Sequence, residues 1–441
     1  MNLEKSSTTS WSTEHDSLSG AQALDLADPI SKVRQEFYFP HTQGKDAPLY
    51  FAGHSLGLMP KAASERINED LQAWGQWGVE GHFLGDRPWL PYHENLTPLL
   101  ARLLGAKPTE VVAMNSLTVN LHLALVSFYR PKGKRNKILI EQGTFPSDKY
   151  AVDSQARFHG LDPNETILQA RPRAGELILR TDDLLQQIED HKDDLALILL
   201  GQCNYLTGQA FEISRVVEVA NRFDIPVGLN LAHGAGNLHL GLHNSGVDFA
   251  VWCSYKYLNS GPGGIAGLFI HERHHAALGN VSPAQRLPRF EGWWGHNKSS
   301  RFKMGPDFDP IPSVEAWQLS NPPIWQLSSH LASLEIFDRV GSAALRERGD
   351  RMTSYFEWLL TKKLSDRLTV VTPALPHRGS MLCLRFHNSP REIMKELSHR
   401  AVFVDFREPD IVRATPAPLY NSYEDIFRLV QLIDEVSGKS K

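Results

Sequence analysis

The chain is expected to fold as an α/β protein, with a mostly parallel central sheet in a large domain and a smaller α+β domain after it. Three observations lead there. Near-continuous apolar runs at residues 137–141, 195–200, 226–229, 247–253 and 264–270 lack the alternation of a half-solvated strand, so both faces of each are covered. Stretches of helical character separate these runs, the order that gives parallel pairing through crossover helices. Beyond about Pro310 the pattern changes to a long helical stretch at 324–340, strand candidates at 368–371, 381–386 and 402–405, and a terminal helix. With 441 residues and 41% apolar content, the chain can bury a sizeable core, which excludes a disordered or fibrous protein.

From the N-terminus, residues 1–20 are rich in Ser and Thr with almost no apolar periodicity, so they read as a flexible terminus without chemistry. A helix is expected over 61–77, where Ala62, Ile67, Leu71 and Trp74 recur at helical spacing and Pro60 sits at a first helical position. The chain shows no internal repeat and no low-complexity domain.

A formal net charge of -4, from 46 basic and 50 acidic residues without a long single-sign block, leaves no footprint for nucleic acid. A small-molecule partner is expected instead. Cys203, Cys253 and Cys383 are widely separated, and two lie in apolar strand-like runs, so neither a disulfide framework nor a CxxC metal site is indicated. Together with the lack of a basic-then-apolar leader or of roughly 18 consecutive apolar residues, this reads as a cytoplasmic protein without a membrane span.

In parallel sheets, ligands bind beyond the carboxyl ends of the strands, which directs attention to the polar residues there. Ser254-Tyr255-Lys256-Tyr257-Leu258-Asn259 places a lysine between an apolar strand and the turn Gly261-Pro262-Gly263-Gly264. An isolated lysine is ordinarily a solvated surface group, but one at a buried strand end can be neutral enough to form an imine with an aldehyde cofactor. Phe145-Pro146-Ser147-Asp148 can stack on a ring and add polar contacts, or be a plain turn. Asn115 to Asn120 opens a helix whose free N–H groups and hydroxyl suit an anion, though a simple helix cap is the commoner use. Arg413 can clamp a carboxylate, against the default of a surface ion pair.

These residues resemble the kynureninase family of pyridoxal phosphate hydrolases, enzymes of tryptophan catabolism and pyridine nucleotide biosynthesis, over about residues 50–432. The matching blocks include GHSLGL at 53–58, MNSLTVNLH at 114–122, FPSD at 145–148, TGQ at 207–209, GWWGH at 292–296, SNPP at 320–323 and the segment 413–421. The resemblance implies fold type I, the aspartate aminotransferase-like fold, acting as a homodimer with active sites at the subunit boundary. It divides the chain into a flexible tail (1–27), a segment joining the small domain (28–80), a large cofactor-binding domain (81–309) and a C-terminal small domain (310–441).

The same resemblance assigns roles. Lys256 would hold pyridoxal 5′-phosphate as an imine and act as base at the substrate α-carbon, with Tyr255 relaying a proton. Leu117, Thr118, Tyr255 and Trp293 would contact the phosphate. Phe145, within Phe145-Pro146-Ser147-Asp148, would stack on the ring, supported by Asp148 and His233. Asn321 would reach the cofactor or substrate, Arg413 would bind the substrate α-carboxylate, and Ser55 and His82 would line the space for the aryl ketone. No metal is implied.

Two positions depart from the family pattern. Asn230 stands where the family has an aspartate that keeps the pyridine nitrogen protonated, and losing that charge would cost up to roughly a thousandfold in rate. Three readings stay open: a kynureninase slowed by the exchange, a diverged enzyme needing a weaker electron sink, and an engineered substitution. His54 replaces the usual asparagine beside Ser55. The competing functions are a desulfurase or lyase, which needs a mobile cysteine, and a non-catalytic binder of cofactor or amino acid.

Overall fold

The computed structural model describes residues 11–41, 47–279, 282 and 286–438. At its centre, seven strands lie side by side in the order Val111–Ala113, Gly267–Ile270, Phe249–Trp252, Val227–Asn230, Leu195–Gly201, Lys137–Glu141 and Ile167–Ala170. The last five are mutually parallel, and Gly267–Ile270 runs antiparallel to both its neighbours. Successive residues of one strand enter opposite cores: Ile138 and Ile140 pack with Leu121, Leu125 and Val152 on one face, while Leu139 joins Val216, Ala220 and Leu184 on the other. Both faces are therefore covered, which is why these strands read as continuous apolar runs.

The helix Lys61–Trp77 has the expected ends, with Pro60 as its cap residue rather than its first turn. Its apolar stripe is not spent on the core: Leu71 and Trp74 remain exposed. Helix Ile324–Val340 also has the expected ends but packs on Lys61–Trp77 and Thr97–Leu104. Its Leu327, Leu331 and Leu334 belong to the core beneath the large sheet, so the sequence change near Pro310 precedes the second lobe itself.

That lobe is a four-stranded antiparallel sheet in the order Asp405–Arg407, Ile411–Ala414, Leu382–Phe386 and Leu368–Val370. Helices Ser342–Leu364, Pro390–His399 and Tyr423–Gly438 supply its core with Phe356, Leu397 and Ile426. The run 402–405 divides: Val402–Phe403 pairs in parallel with Leu49–Tyr50, and Asp405 begins a strand of the other sheet.

The N-terminal expectation needs correction. Residues 1–10 lie outside the described residues, but Leu18–Ala27, within the segment expected to be flexible, is a helix against Tyr423–Gly438. Asp25 explains the attachment, because its carboxylate accepts from the free N–H groups of Tyr423 and Glu424 at 2.8 and 2.9 Å. Trp11 adds ring contacts to Tyr355, Trp358 and Tyr423 and donates its indole N–H to Ser354. Among the described residues, no helix is long and apolar enough to cross a membrane.

Candidate active site

The carboxyl ends of the parallel strands open into one pocket, lined by Leu117, Thr118, Phe145, Ser147, Asp148, Asn230, His233, Tyr255 and Lys256. Each side chain is delivered by a strand end or the first turn of the next helix. Lys256 follows Phe249–Trp252 in a tight turn continued by Asn259, Gly261 and Gly263, all at positive φ. Gly57 presses against this turn from the other side, where a Cβ would overlap the Lys256 carbonyl, and its N–H donates to Tyr255 O. The lysine's backbone is thus gripped from both sides.

Lys256 Nζ lies 3.3 Å from His233 Nε2 and 5.6 Å from the centre of the Phe145 ring. Burial lowers the lysine's pKa, and Arg413 and Arg407 add to the effect against the opposing pull of Cys253 and Asp148. His233 is driven well below the ordinary histidine range by burial and by Lys256, so it is neutral beside the amine. At the opposite wall, helix Leu117–Phe128 begins after Ser116, which makes no capping bond, leaving first-turn N–H groups for an anion. Thr118 Oγ1 and Ser147 Oγ, 2.9 Å apart, bring hydroxyls from two helix starts to the same place.

The floor carries acids. Asn230 donates through Nδ2 to Asp148 Oδ2 at 2.6 Å, and its Oδ1 accepts from Ala232 N at 2.8 Å. Burial raises Asp148 to about 6 despite Asn230 and Lys256. Glu141, at the end of Lys137–Glu141, is raised to about 7 by burial, with Asp148 adding to the effect, although both its oxygens accept from Gly201 N. Arg413 is buried at the margin, donating to Asp405 Oδ2 at 2.8 Å and Tyr205 O at 2.9 Å, while its Nε has no partner.

Other expected residues lie outside this pocket in the single chain. Pro146 begins helix Pro146–Phe158 between two lining residues. Ser55 is half-buried in the turn after Ala52, and His82 pairs with Val79 O and meets Trp89 edge-on. Trp293 is exposed, its indole N–H directed to Arg301 O. Asn321 is exposed in a separate surface depression with Asn115 and Gly263.

Sequence reasoning did not single out Glu141, Tyr205, Cys203 or Cys253 for the lining, nor Asp405 as the partner of Arg413. A carboxylate ending an apolar strand was the available signal for Glu141. His54 is fully buried, bonded to Thr415 Oγ1 at 2.8 Å, while its Nε2 makes no hydrogen bond and lies 3.9 Å from Asp405 Oδ2.

A lysine of lowered basicity, an aromatic face, an uncapped helix start with two hydroxyls and an unpartnered Asp148 Oδ1 together fit pyridoxal phosphate. The fold is similar to solved structures of a cystine C–S lyase in complex with its product cysteine persulfide, at a TM-score of 0.73 and 18% identity over 88% of this chain and 97% of that one. It is likewise similar to a cysteine desulfurase from Escherichia coli, at a TM-score of 0.73 and 16% identity over 93% and 99% of the two chains. Fold and site define a pyridoxal phosphate enzyme of fold type I.

Within that class, the kynureninase C-terminal domain family matches residues 345–433. The chain is 52% identical to a kynureninase of Myxococcus xanthus over 95% of its own length and 97% of the relative's. It is 51% identical to one of Salinispora tropica, over 94% and 96% of the two chains. The chain belongs to the kynureninase family.

Proposed function

We propose that this chain hydrolyses L-kynurenine, or its 3-hydroxy derivative, to anthranilate, or 3-hydroxyanthranilate, and L-alanine. The observation that carries this reading is the buried Lys256 turn facing Phe145 and His233 in a chain of this family. When bound, pyridoxal phosphate supplies an aldehyde that captures amines and a conjugated ring that takes up electrons as bonds to the amino acid break. Lys256 would hold it, and the same amine, with its lowered pKa, would take the proton from the substrate α-carbon. Leu117, Thr118, Ser147 and Tyr255 would hold the phosphate, Phe145 would cover the ring, and Arg413 would receive the α-carboxylate. Tyr255 then relays a proton to the carbon released when the Cβ–Cγ bond is cleaved by water.

A homodimer is part of this reading. Behind the Lys256 turn lies an apolar groove of about 610 Å³, lined by Tyr38, Leu56, Met59, Ile67 and Trp325 among others. Trp74 stands exposed beside Trp325 at its edge, 5.8 Å between ring centres. Trp293, Asn321 and His82, outside the pocket of their own chain, serve the partner's site. A cytoplasmic setting accords with Cys203, Cys253 and Cys383, all free and buried. Burial pushes the Cys203 and Cys383 thiols up to about 12, which disfavours the desulfurase reading.

Protein reconstituted with pyridoxal phosphate should show an imine absorbance that Lys256→Ala removes, and should release an anthranilate from kynurenine or 3-hydroxykynurenine. Imine absorbance with neither product would discard the hydrolase reading. Absence of both signals would discard the cofactor assignment as well.

A further inference from the structure

Asn230 itself brings no charge to the pocket floor, yet its surroundings supply one. The orientation of its amide is fixed: Ala232 N donates to Oδ1, so Nδ2 must be the atom that donates to Asp148 Oδ2. One oxygen of Asp148 is thereby spent. The other, Oδ1, is buried without a partner, on a residue that lines the pocket shared with Lys256 and Phe145. A buried carboxylate oxygen in that condition calls for a donor, and a protonated ring nitrogen is one.

Resting on the cofactor reading above, we propose that Asp148 is the anionic partner of the cofactor's ring nitrogen in this chain, with Asn230 as the residue that positions it. Glu141 is the other acid on the floor, but Gly201 N engages both its oxygens, leaving Asp148 as the carboxylate with an oxygen to offer. Lys256 is the positive group acting on Asp148 from across the pocket. A neutral amide at position 230 suits this arrangement because it donates to Asp148. A second carboxylate at 2.6 Å would force the pair to share a proton, so it would add little charge. Asn230 is then an orienting group and not a lesion.

The test uses holoprotein loaded with pyridoxal phosphate carrying nitrogen-15 in the ring, read by NMR alongside the imine absorbance. The wild type is expected to show a protonated ring nitrogen at neutral pH. Asp148→Asn can still accept from Asn230 through its carbonyl oxygen, so it removes charge while keeping shape. It is expected to retain the imine, lose the protonated nitrogen signal and lower kcat by about a hundredfold or more. Asn230→Ala, which leaves the carboxylate unoriented, should shift the nitrogen signal partway in the same direction. Asn230→Asp should change kcat by less than about threefold. A protonated nitrogen surviving in Asp148→Asn, or a hundredfold rise in Asn230→Asp, would assign the charge elsewhere and overturn the proposal. An unprotonated nitrogen in imine-bearing wild type would overturn it alone, whereas a wild type without any imine absorbance would take the cofactor reading down with it.

Discussion

Two cavities flank the Lys256 turn, and they are built on opposite principles. The pocket at the strand ends is small, about 120 Å³, and crowded with buried ionisable groups whose acidities are displaced by burial and by one another. The groove behind Gly57 is about 610 Å³ and lined mainly by apolar and aromatic side chains. Size alone would direct attention to the groove. Chemistry needs charges held out of water at fixed positions, and only the small pocket has them. The groove offers what a protein surface requires, an exposed apolar face with aromatic anchors.

Three experiments test this contrast. The largest effect is expected from Arg413→Ala at the pocket margin, which removes the proposed carboxylate clamp and should lower kcat/KM about a thousandfold with the imine absorbance unchanged. A loss under about tenfold would show that Arg413 serves only to pair Asp405.

A pH effect on the cofactor-free protein comes next. Asp148, at about 6, and Glu141, at about 7, lie above their ordinary values, so between about pH 4 and 7 the folded chain holds protons that the unfolded chain releases. Stability should therefore fall as pH rises through that window, by on the order of 3 kcal/mol for each group. Denaturant melts at either end of the window measure it, and Glu141→Gln should flatten the profile; a slope unchanged by that substitution would mean that Glu141 is not strained in the empty pocket.

The smallest effect belongs to the groove. Trp74→Glu should weaken self-association by about tenfold, read by sedimentation, while leaving imine formation intact. If the variant remains as tightly associated as the wild type, the groove is not where two copies meet.

The legibility of the chain followed length and locality. Helices Lys61–Trp77 and Ile324–Val340 and strand Lys137–Glu141 have the ends that periodicity gave them, because each is long enough, or buried enough, to carry its own signal. Val111–Ala113 and Ile411–Ala414 are too short for that, and Leu18–Ala27 is hidden among Ser and Thr because Asp25 and Trp11 attach it to distant residues. In the pocket, Lys256, Phe145 and Thr118 stand next to strand ends or helix starts and were legible from motifs. The bond between Asn230 and Asp148 joins residues 82 positions apart, so the sequence singled out both residues but not the contact between them.

The attachment of the chain's first described segments to its last elements also bears on biosynthesis. Leu49–Tyr50 pairs with Val402–Phe403, and Leu18–Ala27 waits for Tyr423–Gly438. During translation these segments have no partner until residues 402–438 have emerged, so the large sheet can form well before the lobe bearing Arg413 closes. A chain cut before Val402 would keep the strands that carry the lysine pocket but leave Leu18–Ala27 and Leu49–Tyr50 without their partners, a substrate for chaperones and proteases.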